Sequence, residues 1–143
     1  MTDADHDRID LSVDVDAAVS AAWDFVSEPG WFINEGELVE HDITWDGSTA
    51  TVVDRDHGRF QFRREASDPP SYLADRGIDP EHDDPVRLVE FWIVDNGQSA
   101  TIRVVESGFA SMPVPVDEQI AQYEQNTRTW QQQLALARHR LRA

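Results

Sequence analysis

The 143-residue sequence has no cysteine, no lysine and no long apolar run. Without cysteine the chain can form neither disulfides nor thiolate metal sites, and thiol nucleophiles are excluded. No apolar segment approaches the ~18 residues that a membrane-spanning helix needs. The phosphate-binding patterns GxGxxG and GxxxxGK are absent, and no serine stands in a GxSxG nucleophile motif. Nucleotide binding through such loops and serine catalysis from such a motif are therefore excluded.

Positive charge is scarce, because 12 arginines stand against 28 Asp and Glu, for a formal net charge of −16. Such a surface repels phosphate backbones and anionic lipids, so we expect neither nucleic acid nor a membrane as a partner. The acidic residues 1–7 do not resemble a secretory signal. We therefore expect a cytoplasmic protein that becomes more stable when salt screens its self-repulsion.

Alternating apolar and polar residues predict a first strand over residues 8–15. An apolar stripe at helical spacing then predicts a helix over residues 17–27, with Asp16 as its N-cap. Strand patterns return at residues 37–45, 49–55, 59–66, 86–94 and 99–107, and residues 71–76 are expected to form a short extended segment, which gives five or six further strands.

The connections between these strands have their own signals. The dipeptides Asp46-Gly47 and Asn96-Gly97 are typical of tight hairpins. Residues 77–85 are rich in Asp and Glu between prolines and are expected to form an exposed loop. Sequential hairpins predict an antiparallel sheet with one face in need of a cover.

The last segment, residues 116–141, predicts a helix of about 25 residues and roughly 37 Å. Its apolar stripe consists of Val116, Ile120, Tyr123, Thr127, Trp130, Leu134, Ala137 and Leu141. A stripe left bare would make the helix poorly stable, and the sheet has a face to cover. The sequence therefore predicts an α+β helix-grip fold: a curved antiparallel β-sheet wrapped around a long C-terminal helix, with one or two short helices after strand 1.

Several segments resemble one protein family. They are Val15-Asp16-Ala17-Ala18-Val19 leading to Trp23, the Trp31-Phe32 pair, Val89-Glu90-Phe91, and Val105-Glu106-Ser107-Gly108-Phe109 followed by Asn126 and Trp130. Together they are similar to the START-like, helix-grip superfamily (SRPBCC). The resemblance is to the branch related to the activator of the heat-shock protein 90 ATPase and to polyketide-cyclase-like proteins. One departure is Thr129, which stands where a glycine often precedes the helix tryptophan and narrows the space beside it.

The resemblance covers nearly the whole chain and implies a single domain over residues 1–143. It also implies a seven-stranded type of sheet with a deep hydrophobic cavity between sheet and helix. Members of the superfamily bind lipids, hormones or polyketides, a few catalyse cyclisation, and others act as co-chaperones. The fold alone does not choose among these functions.

Strand parity and the helix stripe nominate the ligand-binding candidates. They are His41, Phe60, Phe62, Arg64, Phe91, Ile93, Ile102, Val104, Glu106, Phe109, Tyr123, Thr127 and Trp130. Plain core packing produces the same apolar spacing, so the polar members are more informative. A buried polar group needs a partner, and Glu106 could pair with His41 or with Arg64 to orient a ligand. Structural pairs at the sheet edge are the alternative.

We expect a small-molecule binding protein that holds a small apolar molecule, lipid-like or polyketide-like, between sheet and helix. The first alternative is a cyclase or aromatase-like enzyme, in which a His or carboxylate base and a Tyr donor act on one substrate. The second is a co-chaperone-type interaction module, which a cavity below ~300 Å³ would favour. No catalytic residue is assigned, and no metal or cofactor is expected. Trp92, on the outward parity, raises a possible homodimer, or else its ring lies against neighbouring side chains.

Overall fold

The predicted strand segments form seven strands, and the two predicted helical segments form α-helices. The structure is a computed structural model that describes residues 7–79 and 84–142, with only the backbone for 84–86. The order is β1 (Arg8–Val15), α1 (Val19–Val26), β2 (Asp42–Asp46), β3 (Thr49–Asp54), β4 (Gly58–Asp68), β5 (Tyr72–Asp79), β6 (Asp84–Asp95), β7 (Ala100–Ser107), a 3₁₀ turn (Phe109–Ser111) and α2 (Val116–Arg140).

All seven strands belong to one antiparallel sheet with the order β1-β7-β6-β5-β4-β3-β2. Chain neighbours pair with each other from β2 to β7, and β1 closes the sheet beside β7. The two predicted hairpins are present, with Gly47 at φ 62° between β2 and β3 and Gly97 at φ 93° between β6 and β7. Positive φ at these positions is what glycine supplies at low cost. The predicted α+β helix-grip architecture is confirmed.

Helix α2 covers the inner face of the sheet with the stripe that the sequence predicted. Trp130, Leu134 and Ala137 are buried, and Tyr123 and Leu141 pack partly buried against the core. Val116 lies outside this contact and is 45% exposed. Acidic residues in the first turn and basic residues in the last turn both favour the helix dipole.

The centre of the core is a group of aromatic rings between α1, the sheet and α2. Trp31, Phe32, Phe91 and Trp130 lie with ring centroids 4.8 to 6.3 Å apart. Tilted and edge-on aromatic pairs each contribute about 0.5–1.5 kcal/mol beyond the area they bury. The predicted Trp31-Phe32 cluster thus holds the segment after α1 against the long helix.

Two predicted boundaries near the first helix and second strand were wrong. Helix α1 begins at Val19, and its N-cap is Ala18 without a side-chain hydrogen bond, so Asp16 does not cap it. Strand β2 begins at Asp42, which leaves Val39 and His41 before the strand. The reason at His41 is a competing contact, because its ring is held by Ile33 O and by Asp54. Tertiary hydrogen bonds override the period-two pattern there.

The predicted acidic loop over residues 77–85 was also too long. Strand β5 runs to Asp79 and β6 starts at Asp84, with Ile78 opposite Pro85. Residues 80–83 lie outside the described residues. The pairing tolerates proline because it falls at the strand start, next to an irregularity in register between Arg76 and Ile78. Cross-strand pairing extended both strands into a segment whose composition favours a turn.

Trp92 lies on the outer face of the sheet, where neighbouring side chains cover its ring. The Arg103 guanidinium lies 4.8 Å from the Trp92 ring, and the Tyr72 ring lies 5.0 Å away. Arg103 donates two hydrogen bonds to Asp10, of 2.9 and 2.7 Å. Burial raises the pKa of Tyr72 to about 12, helped by its hydrogen bond to Glu90. The half-buried Trp92 ring therefore lies against neighbouring side chains, and it is not a bare surface ring. Among the described helices, none has the length and hydropathy needed to cross a membrane.

Candidate functional site

A pocket of about 570 Å³ lies between the inner face of the sheet and the middle of α2. We call it the sheet–helix pocket. It is lined by Phe32, Ile33, Phe60, Gln61, Phe62, Gly77, Ile78, Asp79, Arg87, Val89, Glu106, Asn126, Thr129 and Trp130. The lining thus comes from β4 to β7, from α2 and from the segment after α1.

Side-chain sizes across neighbouring strands leave room for this pocket. Phe62 of β4 lies opposite Ala50 of β3 and opposite Gly77 of β5. Because Gly77 has no side chain, the inner face of β5 recedes beside the large phenyl ring. Trp130 lines the pocket and is 4% exposed, and its ring centroid lies 4.8 Å from that of Phe32. The apolar part of the lining combines four aromatic side chains with Ile33, Ile78 and Val89.

The polar end of the pocket is organised by Glu106 of β7, which is 6% exposed. Its Oε1 accepts hydrogen bonds from Trp130 Nε1 at 3.0 Å and Asn126 Nδ2 at 3.1 Å. Its Oε2 accepts one from Arg87 Nε at 3.0 Å. Asn126 and Trp130 are four residues apart on α2, so both side chains face the same point of the sheet. The carboxylate is thus fully bonded and its charge is compensated.

Arg87 brings the positive charge to this end of the pocket. Its guanidinium carbon lies 5.0 Å from the centroid of the Phe109 ring, and its Nη1 lies 3.5 Å from Met112 Sδ. The side chain is 21% exposed and lines the pocket. A guanidinium held in this way can donate to a carbonyl or carboxylate oxygen of a bound molecule.

The predicted candidates divide into three groups in the structure. Phe60, Phe62, Glu106 and Trp130 line the sheet–helix pocket. Five apolar candidates are buried in the core at 3% exposure or less, namely Phe91, Ile93, Ile102, Val104 and Phe109. The remaining four, His41, Arg64, Tyr123 and Thr127, are engaged elsewhere.

The predicted pairing of Glu106 with His41 or Arg64 was wrong. Arg64 donates to both carboxylate oxygens of Asp75, at 2.8 and 2.9 Å, and to Ser27 O. His41 Nε2 lies 2.8 Å from Asp54 Oδ2. The strand order explains this, because β7 lies three strands from β4, roughly 14 Å across the sheet. Arg64 and Asp75, by contrast, face each other in register.

Tyr123 and Thr127 pack on α2 outside the pocket lining. The Tyr123 ring lies edge-on to Phe109 at 5.6 Å, and Thr127 Oγ1 donates to Tyr123 O at 2.7 Å. Among the described residues, His41, Glu106 and Tyr123 therefore do not line one common pocket. The His base and the Tyr donor of the cyclase hypothesis therefore lie outside the lining of the pocket that contains Glu106.

The sequence reasoning missed Arg87, Asn126 and Thr129 as pocket residues. Arg87 had a usable signal, because it shares the inward parity of Val89 and is a charge facing the core. Asn126 stands four residues before Trp130, and in the sequence it contributes only to the family resemblance. The segment after α1, including Phe32, could not be placed over the pocket from local pattern.

A second polar cluster joins the segment before β2 to the β3–β4 turn. The Asp54 carboxylate accepts hydrogen bonds from the rings of His41 and His57 and from the backbone N–H of residues 56 and 57. The His57 hydrogen bond, above all, lowers the pKa of Asp54. Asp54 and then Glu35 raise the pKa of His57, because both ring nitrogens face carboxylates. Within the described residues no group of three or more His, Asp or Glu is arranged to hold a metal ion.

Neither a protein-family model nor a curated protein sequence matches this chain. Solved structures do match it. A START superfamily protein from Mycobacterium smegmatis is 16% identical, with a TM-score of 0.64 over 94% of this chain and 99% of that chain. The Aha1 dimer from Colwellia psychrerythraea is 15% identical, with a TM-score of 0.66 over 94% of this chain and 95% of that chain.

A third match is DynU16, a protein of the dynemicin biosynthetic locus. It is 17% identical, with a TM-score of 0.68 over 94% of this chain and 47% of that chain. Likeness at these identities shows the fold. The chain has a START-like helix-grip fold, and the predicted resemblance is confirmed at that level.

Proposed function

We propose that this protein binds a small, mainly apolar molecule in the sheet–helix pocket. The observation that carries the proposal is a pocket of about 570 Å³ that combines aromatic and aliphatic side chains with a cluster of polar groups around Glu106. Ligand pockets measure roughly 300–1,000 Å³ and combine apolar walls with a few placed polar groups. The sheet–helix pocket fits that description in both size and chemistry.

The lining supports a ligand with an apolar body and one polar end. Phe60, Phe62 and Trp130 offer aromatic surface to an apolar body, lipid-like or polyketide-like. Arg87 and Asn126 offer donors to one polar end, which we assign to a carbonyl or carboxylate oxygen. Glu106 is already bonded to three donors, so we give it the role of positioning Arg87 and Asn126.

The structural neighbours agree with the fold that this proposal needs and do not distinguish it from its alternatives. DynU16 comes from a biosynthetic locus, and another neighbour is a START superfamily protein. Both have this fold, but fold by itself does not assign a ligand. The cyclase alternative has no support from geometry, since His41 and Tyr123 do not line the pocket at Glu106. The pocket volume also exceeds the ~300 Å³ below which we would prefer an interaction module.

A homodimer belongs to the proposal as a separate point. The neighbour from Colwellia psychrerythraea is a dimer, while the covered Trp92 removes the surface signal that first suggested one here. Sedimentation equilibrium at several concentrations distinguishes a dimer from a monomer.

The cytoplasmic location, and the expectation of no nucleic acid, membrane, metal or cofactor, stay predictions from the sequence.

The direct test of ligand binding has two parts. Native mass spectrometry of protein purified from its own host should show a small molecule that remains bound. In parallel, the neutral fluorescent probe N-phenyl-1-naphthylamine should bind with a saturable rise in emission. Thr129 lines the pocket and is exposed on α2, so Thr129→Trp should fill the pocket entrance.

We expect Thr129→Trp to weaken probe binding about tenfold or more, equivalent to about 1.4 kcal/mol. Gln132→Trp is the matched control, because Gln132 is exposed on the same helix and outside the pocket lining. It should bind the probe like the wild type. Equal affinity of Thr129→Trp and wild type, or no probe binding at all, would contradict the proposal.

A further inference from the structure

A second cleft, of about 630 Å³, lies between α1, residues 38–41 and the end of α2. We call it the terminal cleft. Phe25, Trp31, Leu38, His41 and Leu141 are among the residues that line it. Neither Trp31 nor His41 lines the sheet–helix pocket, so the two sites are distinct.

Two buried polar atoms in the lining of the terminal cleft have no hydrogen-bond partner in the described part of the chain. They are Trp31 Nε1 and His41 Nδ1. Trp31 is 2% exposed, and the side chain of His41 is 0% exposed. Native proteins bond nearly all such groups, because an unsatisfied buried donor or acceptor is costly. Two such atoms in one cleft indicate a ligand group that supplies the missing bonds.

The hydrogen bonds of His41 determine what that group must be. Its Nε2 lies 3.0 Å from Ile33 O and 2.8 Å from Asp54 Oδ2, so this nitrogen carries the proton. In the neutral ring Nδ1 is then an acceptor, whereas an indole N–H is only a donor. A hydroxyl group has both functions, since its oxygen can accept from an indole N–H and its hydrogen can be donated to an imidazole nitrogen.

The charge and the apolar side chains of the lining limit the class of ligand further. Three carboxylates, Asp24, Glu28 and Glu40, line the same cleft with one guanidinium, Arg140, and this excess of negative charge disfavours an anionic ligand. Phe25 and Leu38 offer apolar surface. We propose that the terminal cleft binds a neutral small molecule with a hydroxyl group on an apolar body.

Access to the two atoms requires a local movement. Both have almost no accessible surface in the free chain. The lining of the cleft includes residues 38–41, which form neither helix nor strand. The ring centroid of Trp31 lies 4.8 Å from that of Phe25 and 5.7 Å from that of Phe32. This packing fixes the direction of the indole N–H. We expect residues 38–40 to move, because they lie outside helices and strands and their displacement breaks few backbone hydrogen bonds, while the His41 ring stays bonded to Ile33 O and Asp54.

The test uses ¹H–¹⁵N NMR of the full chain, with three matched probes: benzyl alcohol, toluene and benzoate. Benzyl alcohol should shift the Trp31 indole cross-peak saturably, and it should bind about tenfold tighter than toluene or benzoate. The ¹⁵N resonance of His41 Nδ1 should move with the same concentration dependence. The Trp130 indole, bonded to Glu106, serves as the internal reference for the sheet–helix pocket.

Trp31→Phe keeps an aromatic ring but removes the donor, and it should abolish the preference for benzyl alcohol over toluene. Trp45→Phe is the matched control, because Trp45 is 48% exposed and lines neither site. If Trp31→Phe does not fold, the response of the wild-type His41 resonance decides the question. The proposal is overturned if toluene binds as well as benzyl alcohol, or if only the Trp130 cross-peak moves. These outcomes leave the sheet–helix pocket untouched, because Thr129→Trp tests that site separately.

Discussion

At the scale of single residues, Glu106 determines how polar groups are arranged beside an apolar pocket. A buried carboxylate is tolerated only when it is hydrogen-bonded and its charge is compensated. Arg87 supplies the charge, and Asn126 and Trp130 supply the remaining donors. Holding these three side chains in place is the structural role of Glu106.

Glu106→Gln should destabilise the protein without unfolding it. The amide nitrogen of Gln would face the Arg87 Nε donor, but the arginine, at 21% exposure, can still reach water. We expect a loss of about 2–3 kcal/mol in the free energy of unfolding, measured by urea denaturation. The double variant Glu106→Gln/Arg87→Leu should lose less than the sum of the two single variants. Strictly additive losses would show that the pair is not coupled.

Trp130 is the packed centre of the molecule, and its truncation should be among the most costly. It is 4% exposed and contacts the rings of Phe32 and Phe91. Trp130→Ala should reduce the free energy of unfolding by ~3–5 kcal/mol. The control Trp45→Ala, at a ring that is 48% exposed, should cost less than about 1 kcal/mol. Similar losses in the two variants would mean that Trp130 does not pack as described.

At the scale of elements, the β3–β4 turn and the segment before β2 are joined through one carboxylate. Asp54 ends β3, is 5% exposed, and binds His57 within its own turn and His41 from the preceding segment. Glu35 reaches His57 from the other side at 3.0 Å. This hydrogen-bond network connects the wall of the terminal cleft to the sheet.

The network should make stability depend on pH in two windows. The pKa of His57 is raised in the folded protein from an unfolded value of about 6.5. The contribution of His57 to the free energy of unfolding is therefore fully present below about pH 6.5. It is lost as the pH rises through the folded pKa. The pKa of Asp54 is lowered, so its contribution is present above about pH 4 and is lost as the pH falls towards its folded pKa.

Urea denaturation between pH 6 and 9 should therefore show stability falling more steeply for the wild type than for His57→Gln. The matched control is His139→Gln, at an exposed histidine in the last turn of α2. That variant should keep the wild-type slope. An unchanged slope in His57→Gln would refute a charged His57 between two carboxylates.

At the scale of the whole molecule, charge of one sign dominates the surface. A net charge of −16 on 143 residues leaves the folded chain repelling itself. This figure already counts every arginine, including those that pair with carboxylates, such as Arg103 with Asp10. Salt that screens the remaining charges should stabilise the protein.

The melting temperature should rise between 0.1 and 2 M KCl. The experiment uses chloride because sulfate would also strengthen the burial of apolar surface. A variant that neutralises exposed acids, Glu37→Gln/Asp42→Asn/Asp46→Asn/Glu124→Gln, should be more stable at low salt and respond less to KCl. A melting temperature that is flat or falls would contradict this account.

A single unfolding transition, coincident by fluorescence and circular dichroism, would support the proposed single domain over residues 1–143.

Much of the fold was predictable because its signals are local. The faultless alternation of residues 8–15, the two hairpin glycines and the helix stripe each predict one element, and each is present. The partners of the polar residues were not predictable, as Arg64 shows. Its partner depends on which strand lies beside β4, and strand order is a property of the whole sheet.

The sequence by itself therefore determined the order of the elements, apart from the ends of α1, β2, β5 and β6, and the need of α2 for a cover. These follow from spacing of three or four residues and of two. Only the tertiary structure decided that Glu106 meets Arg87, Asn126 and Trp130, and that His41 belongs to Asp54. It also decided that Trp31 and His41 line a second cleft. The physical reason is that hydrogen-bond partners and cavities arise between elements distant in sequence, where packing of the whole chain selects which side chains meet.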